Sequence, residues 1–266
     1  INYGKEGHIA TITLNRPERM NAFTGAMINS IGQALQDANM DEQIRVLVVT
    51  GAGRGFSAGL DLKEPPNFGG RSSSSASVRT PQLPGIFMSI DKPIIASING
   101  AAIGWGLELA LLCDIRITVE NAPLGDRHLN FSIIADHGGL YTMPRLVGWA
   151  KACELIFTAQ TIDGKEAERI GLVNKAVAPD KLAEATREMA NTIASKPPLG
   201  IQLSKRAMRD GLNSDFNSLN DHAYTLFRLL VGSEDFAEAM KALGENREPQ
   251  VKGKSSRRGF AIEGVR

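Results

Sequence analysis

One carboxylate, Glu108, interrupts the strongly apolar run GWGLELALLCDI at residues 104–115. An ionised side chain that is buried without partners is costly, so it either shifts its pKa or finds hydrogen-bonding partners. One interpretation is an acid at the exposed start of a helix, where the helix dipole stabilises it. The other is a catalytic acid or base at the floor of a pocket. The residues around Glu108 indicate which of these two interpretations is correct.

Two glycine-rich turns with the same layout precede Glu108 in the sequence. VLVVTGAGRGFSAGLDL at 46–62 and IIASINGAAIGWGLEL at 94–109 each read as a buried strand, a turn and an apolar segment. Glycine allows a backbone to take positive φ and to approach another group closely. A turn that leads into a helix also leaves its first N–H groups without an acceptor inside that helix. Two such turns could aim one N–H each at a single oxygen, which is an oxyanion hole.

These residues resemble the signature segments of a known family. FSAGLDLKE at 56–64 and KPIIASINGAAIGWGLELALLCDIRI at 92–117 are similar to the paired motifs of the crotonase superfamily, the enoyl-CoA hydratase/isomerase family. The resemblance continues through NRPERMNAF near the start, MPRLVGWAKA at 143–152 and AERIGLVNKAV at 167–177. It therefore covers nearly the whole chain, and it is far more specific for the superfamily than for the reaction.

The resemblance implies an α/β fold, a crotonase-like spiral of repeated ββα units with a helical C-terminal trimerisation part. The implied ligand is an acyl-CoA thioester, with coenzyme A as part of the substrate and no separate cofactor. By position, the oxyanion hole would use the backbone N–H groups of Leu60 and Trp105. Trp105 stands where the family commonly has glycine, so its side chain must either face the acyl group or simply pack. Glu108 matches one of the two glutamates that act in hydratases.

The segment LGDRHLNFSIIADHGG at 124–139 departs from the hydratase pattern. His128 falls at the position of the second glutamate, and Asp136 falls eight residues later, where an acid resembles the isomerase branches. The expected catalytic set is therefore Glu108, Asp136 and His128, with His128 as either a spectator or a participant and Asp136 as either an acid in the site or a helix N-cap. His137 is expected to point away from the site, and Asp126 with Arg127 to form an ordinary turn pair.

By resemblance to the family, the segments at 19–22 and 58–62 are expected to contact the CoA arm. Arg19 is the candidate for a phosphate, because a guanidinium suits that geometry; its alternative is a solvated turn residue. No metal cluster, P-loop or reactive cysteine pattern is found, so no metal is expected. The proposed CoA-binding residues are Arg19, Met20, Ala22, Ala58, Asp61 and Leu62.

The elements that must position these residues alternate between strands and helices, which favours an α/β core. Strand patterns occur at 8–14, 44–51, 94–100, 115–119 and 172–177, and helical patterns at 24–39, 106–112, 139–146, 150–157, 163–169 and 179–194. Residues 65–84 are rich in Gly, Ser and Pro and predict a mobile surface loop or a lid. After a boundary near residue 196 the chain reads as helical, which gives a core at 1–195 and an assembly region at 196–266.

The assembly region carries more apolar residues than one helix stripe needs, among them Leu226, Phe227, Leu229 and Leu230. The surplus predicts a partner surface. The family resemblance makes that partner another copy, as a homotrimer or a dimer of trimers.

Composition limits the function classes. The 266 residues are 42% hydrophobic and 22% charged with a net charge of +1, so no broad field attracts nucleic acid or an acidic membrane. Cys113 and Cys153 read as core thiols of a reducing compartment. No apolar run reaches the length of a membrane span. A cytoplasmic location is expected, with a removed organelle leader left open because the chain begins with Ile.

The sequence leads to hydration or double-bond isomerisation of an unsaturated acyl-CoA as the expected activity. Two alternatives stay open: decarboxylation or C–C bond hydrolysis on the same scaffold, and a non-catalytic member that binds CoA or RNA. The basic tail at 252–259 and the altered second glutamate position are the only support for the last alternative.

Overall fold

The computed structural model describes residues 1–63 and 83–253. The chain divides into two compact units, Ile1–Asn191 and a second unit that begins at Thr192. The predicted loop at 65–84 lies outside the described residues, except that Leu83 and Pro84 begin a helix in which the Leu83 side chain is buried. The basic tail lies outside them from residue 254 onward. The assignment of a site-bearing core and an assembly region to residues 1–195 and 196–266 stays a prediction.

Strands and helices alternate along most of the described chain, as the sequence predicts. The strands are β1 (Asn2–Glu6), β2 (Ile9–Leu14), β3 (Val46–Gly51), β4 (Gly55–Ser57), β5 (Ile94–Ile98), β6 (Ala101–Ile103), β7 (Ile115–Val119), β8 (Leu124–Gly125) and β9 (Lys175–Val177). The helices are α1 (Gly25–Met40), α2 (Leu83–Ser89), α3 (Trp105–Leu112), α4 (Gly139–Val147), α5 (Trp149–Thr158), α6 (Gly164–Arg169), α7 (Leu182–Ala194), α8 (Pro198–Gly211), α9 (Phe216–Val231) and α10 (Glu234–Gly244).

A six-stranded sheet in the order β1-β2-β3-β5-β7-β9 forms the centre of the first unit. All its neighbouring strands pair in parallel except β1 and β2. The five predicted strands are confirmed as β2, β3, β5, β7 and β9. Strand β7 has the predicted bounds, β2, β3 and β5 are one or two residues shorter, and β9 covers only residues 175–177 of the predicted 172–177. Every residue of β5 is buried, as expected for a β-branched run covered on both faces of a parallel sheet.

A second, three-stranded sheet in the order β4-β6-β8 was not predicted. These strands have two or three residues each, too short to show a period. Between β5 and β6 the chain bends at Asn99, whose side-chain amide accepts a hydrogen bond from Gly51 N–H and donates one to the Gly53 carbonyl. The strand predicted to run to residue 100 therefore ends at Ile98, and successive strands enter different sheets.

Helix α3 links the second turn to the core. Seven of its eight residues are buried, from Trp105 to Leu111, so it carries no polar face on which Glu108 could reach water. The interpretation of Glu108 as an acid at an exposed helix start is therefore wrong. By contrast α1 is amphipathic, and its N-cap Thr24 accepts a hydrogen bond from Met27 N–H.

The second unit contains helices α8, α9 and α10, as the helical pattern after residue 196 predicts. Helix α9 has no buried side chain, and Tyr224 and Phe227 are 62% and 60% exposed. Within the described residues, no helix has the length and apolar character that a membrane crossing requires.

Candidate active site

The two glycine-rich turns lie against each other in the structure. Gly59 has φ +91°, and a Cβ there would lie 2.7 Å from the Ile103 carbonyl oxygen and 3.3 Å from the Trp105 nitrogen. A Cβ at Gly106 would overlap the Ser57 carbonyl oxygen. Only glycine permits the left-handed backbone at the first position and the close approach at the second. The repeat seen in the sequence therefore becomes one site built from two turns.

The two proposed oxyanion donors are placed by these turns. Phe23 N–H donates to the Gly59 carbonyl and Asp61 N–H donates to the Phe23 carbonyl, so the Leu60 N–H between them points away from this pairing. Among the described residues it makes no hydrogen bond. Trp105 is the first residue of α3, so its N–H has no acceptor within that helix. This arrangement suits an oxyanion hole.

Glu108 is 1% exposed and its two carboxylate oxygens have different surroundings. Oε1 accepts hydrogen bonds from His137 N–H at 2.9 Å and from Gly139 N–H at 2.8 Å. Oε2 has no hydrogen-bond partner within the described structure. Burial raises the pKa of Glu108, although the Gly139 N–H and the charge of His128 act in the opposite direction. Oε2 is thus the atom able to carry or transfer a proton.

His128 faces that free oxygen. Its Nε2 lies 3.6 Å from Glu108 Oε2, too far for a direct hydrogen bond, and its Nδ1 lies 2.7 Å from Asp126 Oδ1. Burial alone would lower the pKa of His128, but the hydrogen bond and charge of Asp126, with the charges of Glu108 and Asp136, raise it. The expectation that Asp126 belongs to an ordinary turn pair is wrong, because this 3%-exposed carboxylate fixes the imidazole.

Asp136 belongs to the same cluster but is more open to solvent than Glu108 and His128. Its Oδ1 accepts hydrogen bonds from the Trp105 indole Nε1 and from His137 Nδ1, both at 2.9 Å. The bond from His137 lowers the pKa of Asp136, and the bond from Trp105 lowers it further, against the effect of partial burial. The expectation that His137 points away is wrong. The adjacent Asp136-His137 pair in the sequence could have indicated this contact, because the side chains of neighbouring residues meet where the chain turns.

The three predicted catalytic residues come together. One oxygen or nitrogen from each of Glu108, His128 and Asp136 lies within 4.8 Å of the other two. The same spacing could accommodate a cation, and the absence of a metal requirement stays a prediction. The two carboxyl groups have pKa values shifted in opposite directions, which is the arrangement that divides acid and base roles between a pair.

The two segments proposed for the CoA arm run side by side. Ala58 N–H donates to the Met20 carbonyl at 2.9 Å, and Phe23 N–H donates to the Gly59 carbonyl at 2.8 Å. Arg19 and Ala58 are exposed, Leu62 is 65% exposed, and Ala22 is buried. The structure thus brings all six proposed residues to one region, and their role as CoA contacts stays a prediction.

Asp61 is the member of this set with an evident structural task. Its carboxylate is 6% exposed and lies 3.0 Å from the Arg16 guanidinium, which also donates to the Ala22 carbonyl. Sequence analysis named Arg19 in this turn and missed Arg16. Arg16 ties residues 16–22 to the first glycine-rich turn, so it supports the position of Leu60.

Comparison with known proteins adds independent information. Residues 4–254 match the family described as enoyl-CoA hydratase/isomerase. The chain is 35% identical over 245 residues to the short-chain-enoyl-CoA hydratase of Clostridium acetobutylicum, covering 92% of this chain and 94% of that protein. It is 37% identical over 248 residues to the (E)-benzylidenesuccinyl-CoA hydratase of Thauera aromatica, covering 92% and 96%.

The fold is shared as well. The crystal structure of enoyl-CoA hydratase from Bacillus anthracis superposes with a TM-score of 0.87 at 33% sequence identity, covering 95% of this chain and 99% of that chain.

Proposed function

The chain belongs to the enoyl-CoA hydratase/isomerase family, and from this premise we propose that it hydrates a short 2-enoyl-CoA. Family membership makes it an enzyme with the crotonase fold. The observation that supports the proposed reaction is that one oxygen or nitrogen from each of Glu108, His128 and Asp136 lies within 4.8 Å of the other two. A relative named short-chain-enoyl-CoA hydratase supports a short acyl group.

The proposed reaction adds the elements of water across the C2=C3 double bond. The water oxygen bonds to C3, and the π electrons move through C2 toward the thioester oxygen to form an enolate. The N–H groups of Leu60 and Trp105 would bind this oxygen, a contribution of about 10²- to 10³-fold in rate for each donor. Asp136 would accept the proton that the water loses, and Glu108 would deliver a proton to C2.

The electrostatics of the two acids support this division. Asp136 has a lowered pKa and is ionised near neutral pH, so it can act as the base. Glu108 has a raised pKa, so it holds its proton more readily than an exposed glutamate does. His128 would orient the water, because the 3.6 Å gap between its Nε2 and Glu108 Oε2 leaves both groups available to one bridging molecule.

Isomerisation of a 3-enoyl-CoA is the second candidate, and it has its own support. An acid at the position of Asp136 resembles the isomerase branches of the family, while His128 replaces the second glutamate of hydratases. In isomerisation a base would remove a proton from C2 to form a dienolate, and an acid would return a proton to C4, which leaves the double bond at C2=C3. The same two N–H donors would bind the enolate oxygen in both reactions.

Assembly and substrate complete the proposal. The acyl-CoA would bind along residues 19–22 and 58–62, and the exposed apolar side chains of α9 support a homotrimer or a dimer of trimers.

The test compares crotonyl-CoA with a 3-enoyl-CoA, following the absorbance of the conjugated enoyl thioester. Hydration of crotonyl-CoA decreases this absorbance, whereas isomerisation of the 3-enoyl-CoA increases it. Glu108→Gln and Asp136→Asn should each lower kcat by about 10²- to 10⁴-fold, with CoA affinity nearly unchanged because the oxyanion donors are backbone groups. The double variant should be little worse than either single one, since the two acids act as a unit.

Glu154→Gln provides the matched control, because Glu154 is an exposed carboxylate on α5 that pairs with Lys151. Its kcat should match that of the unsubstituted protein. Near-normal kcat in Asp136→Asn would overturn the shared role of the two acids. No turnover of either substrate by the unsubstituted protein would overturn the proposed reaction in favour of decarboxylation or C–C bond hydrolysis.

A further inference from the structure

We propose that the Trp105 side chain is a positioning residue that holds Asp136 in place relative to the oxyanion turn. The inference rests on the proposed function, in which Asp136 transfers a proton, and it assigns a task to a side chain that the oxyanion hole itself does not need. An oxyanion donor at this position uses only its backbone N–H, so that role places no demand on the indole.

The contacts of the indole are specific. Trp105 is 7% exposed, its Nε1 donates to Asp136 Oδ1 at 2.9 Å, and its ring centroid lies 3.8 Å from that of His137. Among the described residues, Oδ2 of Asp136 makes no hydrogen bond. Both donors thus engage one oxygen and leave the other for water or substrate.

The Asp136 carboxylate needs such a constraint because its own surroundings do little to hold it. Its side chain is 55% exposed, and its other partner, His137, is the next residue along the chain. The His137 N–H donates to Glu108 Oε1 and so holds the backbone beside Asp136, but this bond does not set the direction of the Asp136 side chain. Trp105 belongs to a different element, 31 residues away, and supplies that long-range constraint.

Trp105 is itself well anchored. Only 7% of Trp105 is exposed, and this burial restricts the two side-chain torsions of the indole. A small apolar cavity of about 10 Å³ is lined by Trp105 together with Phe23, Leu109 and Leu112. Its backbone lies in the oxyanion turn, and Glu108 follows one helical turn later on α3. One residue therefore links the oxyanion donor, the acid and the base, whose relative positions must hold to within about 0.5 Å for efficient catalysis.

The kinetic test is Trp105→Phe, which keeps an aromatic ring and the backbone N–H and removes the indole donor together with part of the ring volume. We expect kcat to fall by about 10- to 100-fold while KM and CoA affinity stay within about twofold, a smaller loss than that of the base itself. In the Asp136→Asn background the same substitution should cause little further loss, because a positioning residue acts only through the group it positions. Trp149→Phe is the matched control, since the chain has two tryptophans and Trp149 is 76% exposed on α5.

A second measurement requires no turnover. The ¹H–¹⁵N spectrum of the two indole groups is assigned with Trp149→Phe, and the Trp105 signal should exchange slowly with solvent. Asp136→Ala should shift this signal and accelerate its exchange, whereas Glu154→Ala should not.

Each outcome decides the proposal. A Trp105→Phe effect that multiplies with that of Asp136→Asn, or an indole signal unaffected by Asp136→Ala, overturns it. An indole signal that responds to Asp136→Ala in a protein that fails to hydrate crotonyl-CoA supports the positioning contact and overturns the proposed reaction instead.

Discussion

At the residue scale, the two oxygens of Glu108 explain how an acid is kept inside an apolar helix. Two backbone N–H groups satisfy Oε1, one from His137 just before α4 and one from Gly139 at its start, so the carboxyl group is held firmly. Oε2 is left without a hydrogen bond in a buried position, which is unfavourable for the ionised form. The buried Oε2 therefore lowers the stability of the folded protein, and it is the atom that transfers a proton in the proposed reaction.

Glu108→Gln should stabilise the fold at pH 8 while lowering kcat by about 10²- to 10⁴-fold. Burial raises the pKa of folded Glu108 above its unfolded value, so the stability from its protonated form is complete below the ordinary Glu pKa and is lost as pH rises through the folded value. The amide stays neutral and avoids this loss. We expect a gain of about 1–3 kcal/mol in the free energy of unfolding at pH 8, roughly 2–4 °C in Tm for each kcal/mol. The gain should shrink toward zero near pH 4.

Thermal unfolding from pH 4 to 8 measures this, with Glu154→Gln as the comparison. Glu154 is exposed, and its hydrogen bond from Lys151 lowers its pKa, so this variant should show no gain at pH 8. A lower Tm for Glu108→Gln than for the unsubstituted protein at pH 8 would contradict the prediction.

At the element scale, the site depends on how closely two turns approach. The start of α3 packs on the end of β4 at Gly106 and Ser57, with no room for a methyl group. Short strands make this possible, because β4 and β6 pair only briefly before the chain turns into the site. The position of the Trp105 N–H is therefore set by packing between elements, not by α3 alone.

Gly106→Ala should separate the turns and disturb the site. The added Cβ overlaps the backbone oxygen of Ser57, which cannot move as a flexible side chain does. Overpacking of this kind costs about 1–3 kcal/mol. Displacement of an oxyanion donor should also lower kcat by about 10²-fold or more. Chemical denaturation and crotonyl-CoA kinetics measure the two effects.

Gly4→Ala is the control for this prediction, because a Cβ at Gly4 in β1 meets nothing within 4 Å. It should leave both stability and kcat close to those of the unsubstituted protein. If Gly106→Ala behaves like Gly4→Ala, the close contact between the turns is not required for the site.

At the scale of the whole molecule, the second unit exposes several large apolar side chains. In α9, Phe216, Tyr224 and Phe227 are each at least 60% exposed, and Leu243 in α10 is 74% exposed. Scattered exposed apolar residues are common, but several on one pair of helices indicate a surface that associates.

We predict that the protein forms a trimer or a dimer of trimers, and that Phe227→Glu weakens it. A charge placed in an apolar interface loses its hydration without gaining a partner, so association becomes less favourable. Light scattering of the unsubstituted protein should give three or six times the chain mass of 28.6 kDa, and Phe227→Glu should reduce it. Phe157, on α5, is 72% exposed against 60% for Phe227, so Phe157→Glu tests whether the effect is specific to α9. A monomeric mass for the unsubstituted protein would refute the assembly.

Much of the fold was determined by the sequence itself. The composition of the β-branched runs that form β3 and β5 predicts that they are buried, because a strand covered on both faces has no polar side. The glycine pattern around residues 59 and 104–106 was likewise readable, because the backbone conformation and close packing there admit no other residue. Glu108, His128 and Asp136 followed from aligning these motifs with the family, and the structure places all three together.

The tertiary structure alone decided which partners surround those groups. The β4-β6-β8 sheet is stabilised by pairing between distant segments and leaves no periodic pattern in two or three residues. Asp126 read as a turn residue until its contact with His128 appeared, and His137 read as a bystander until it contacted Asp136. The Trp105 indole reaches Asp136 across 31 residues of chain. Sequence patterns report burial and backbone conformation, which are local, whereas the direction of a polar side chain depends on which acceptor the fold brings within 3 Å of it.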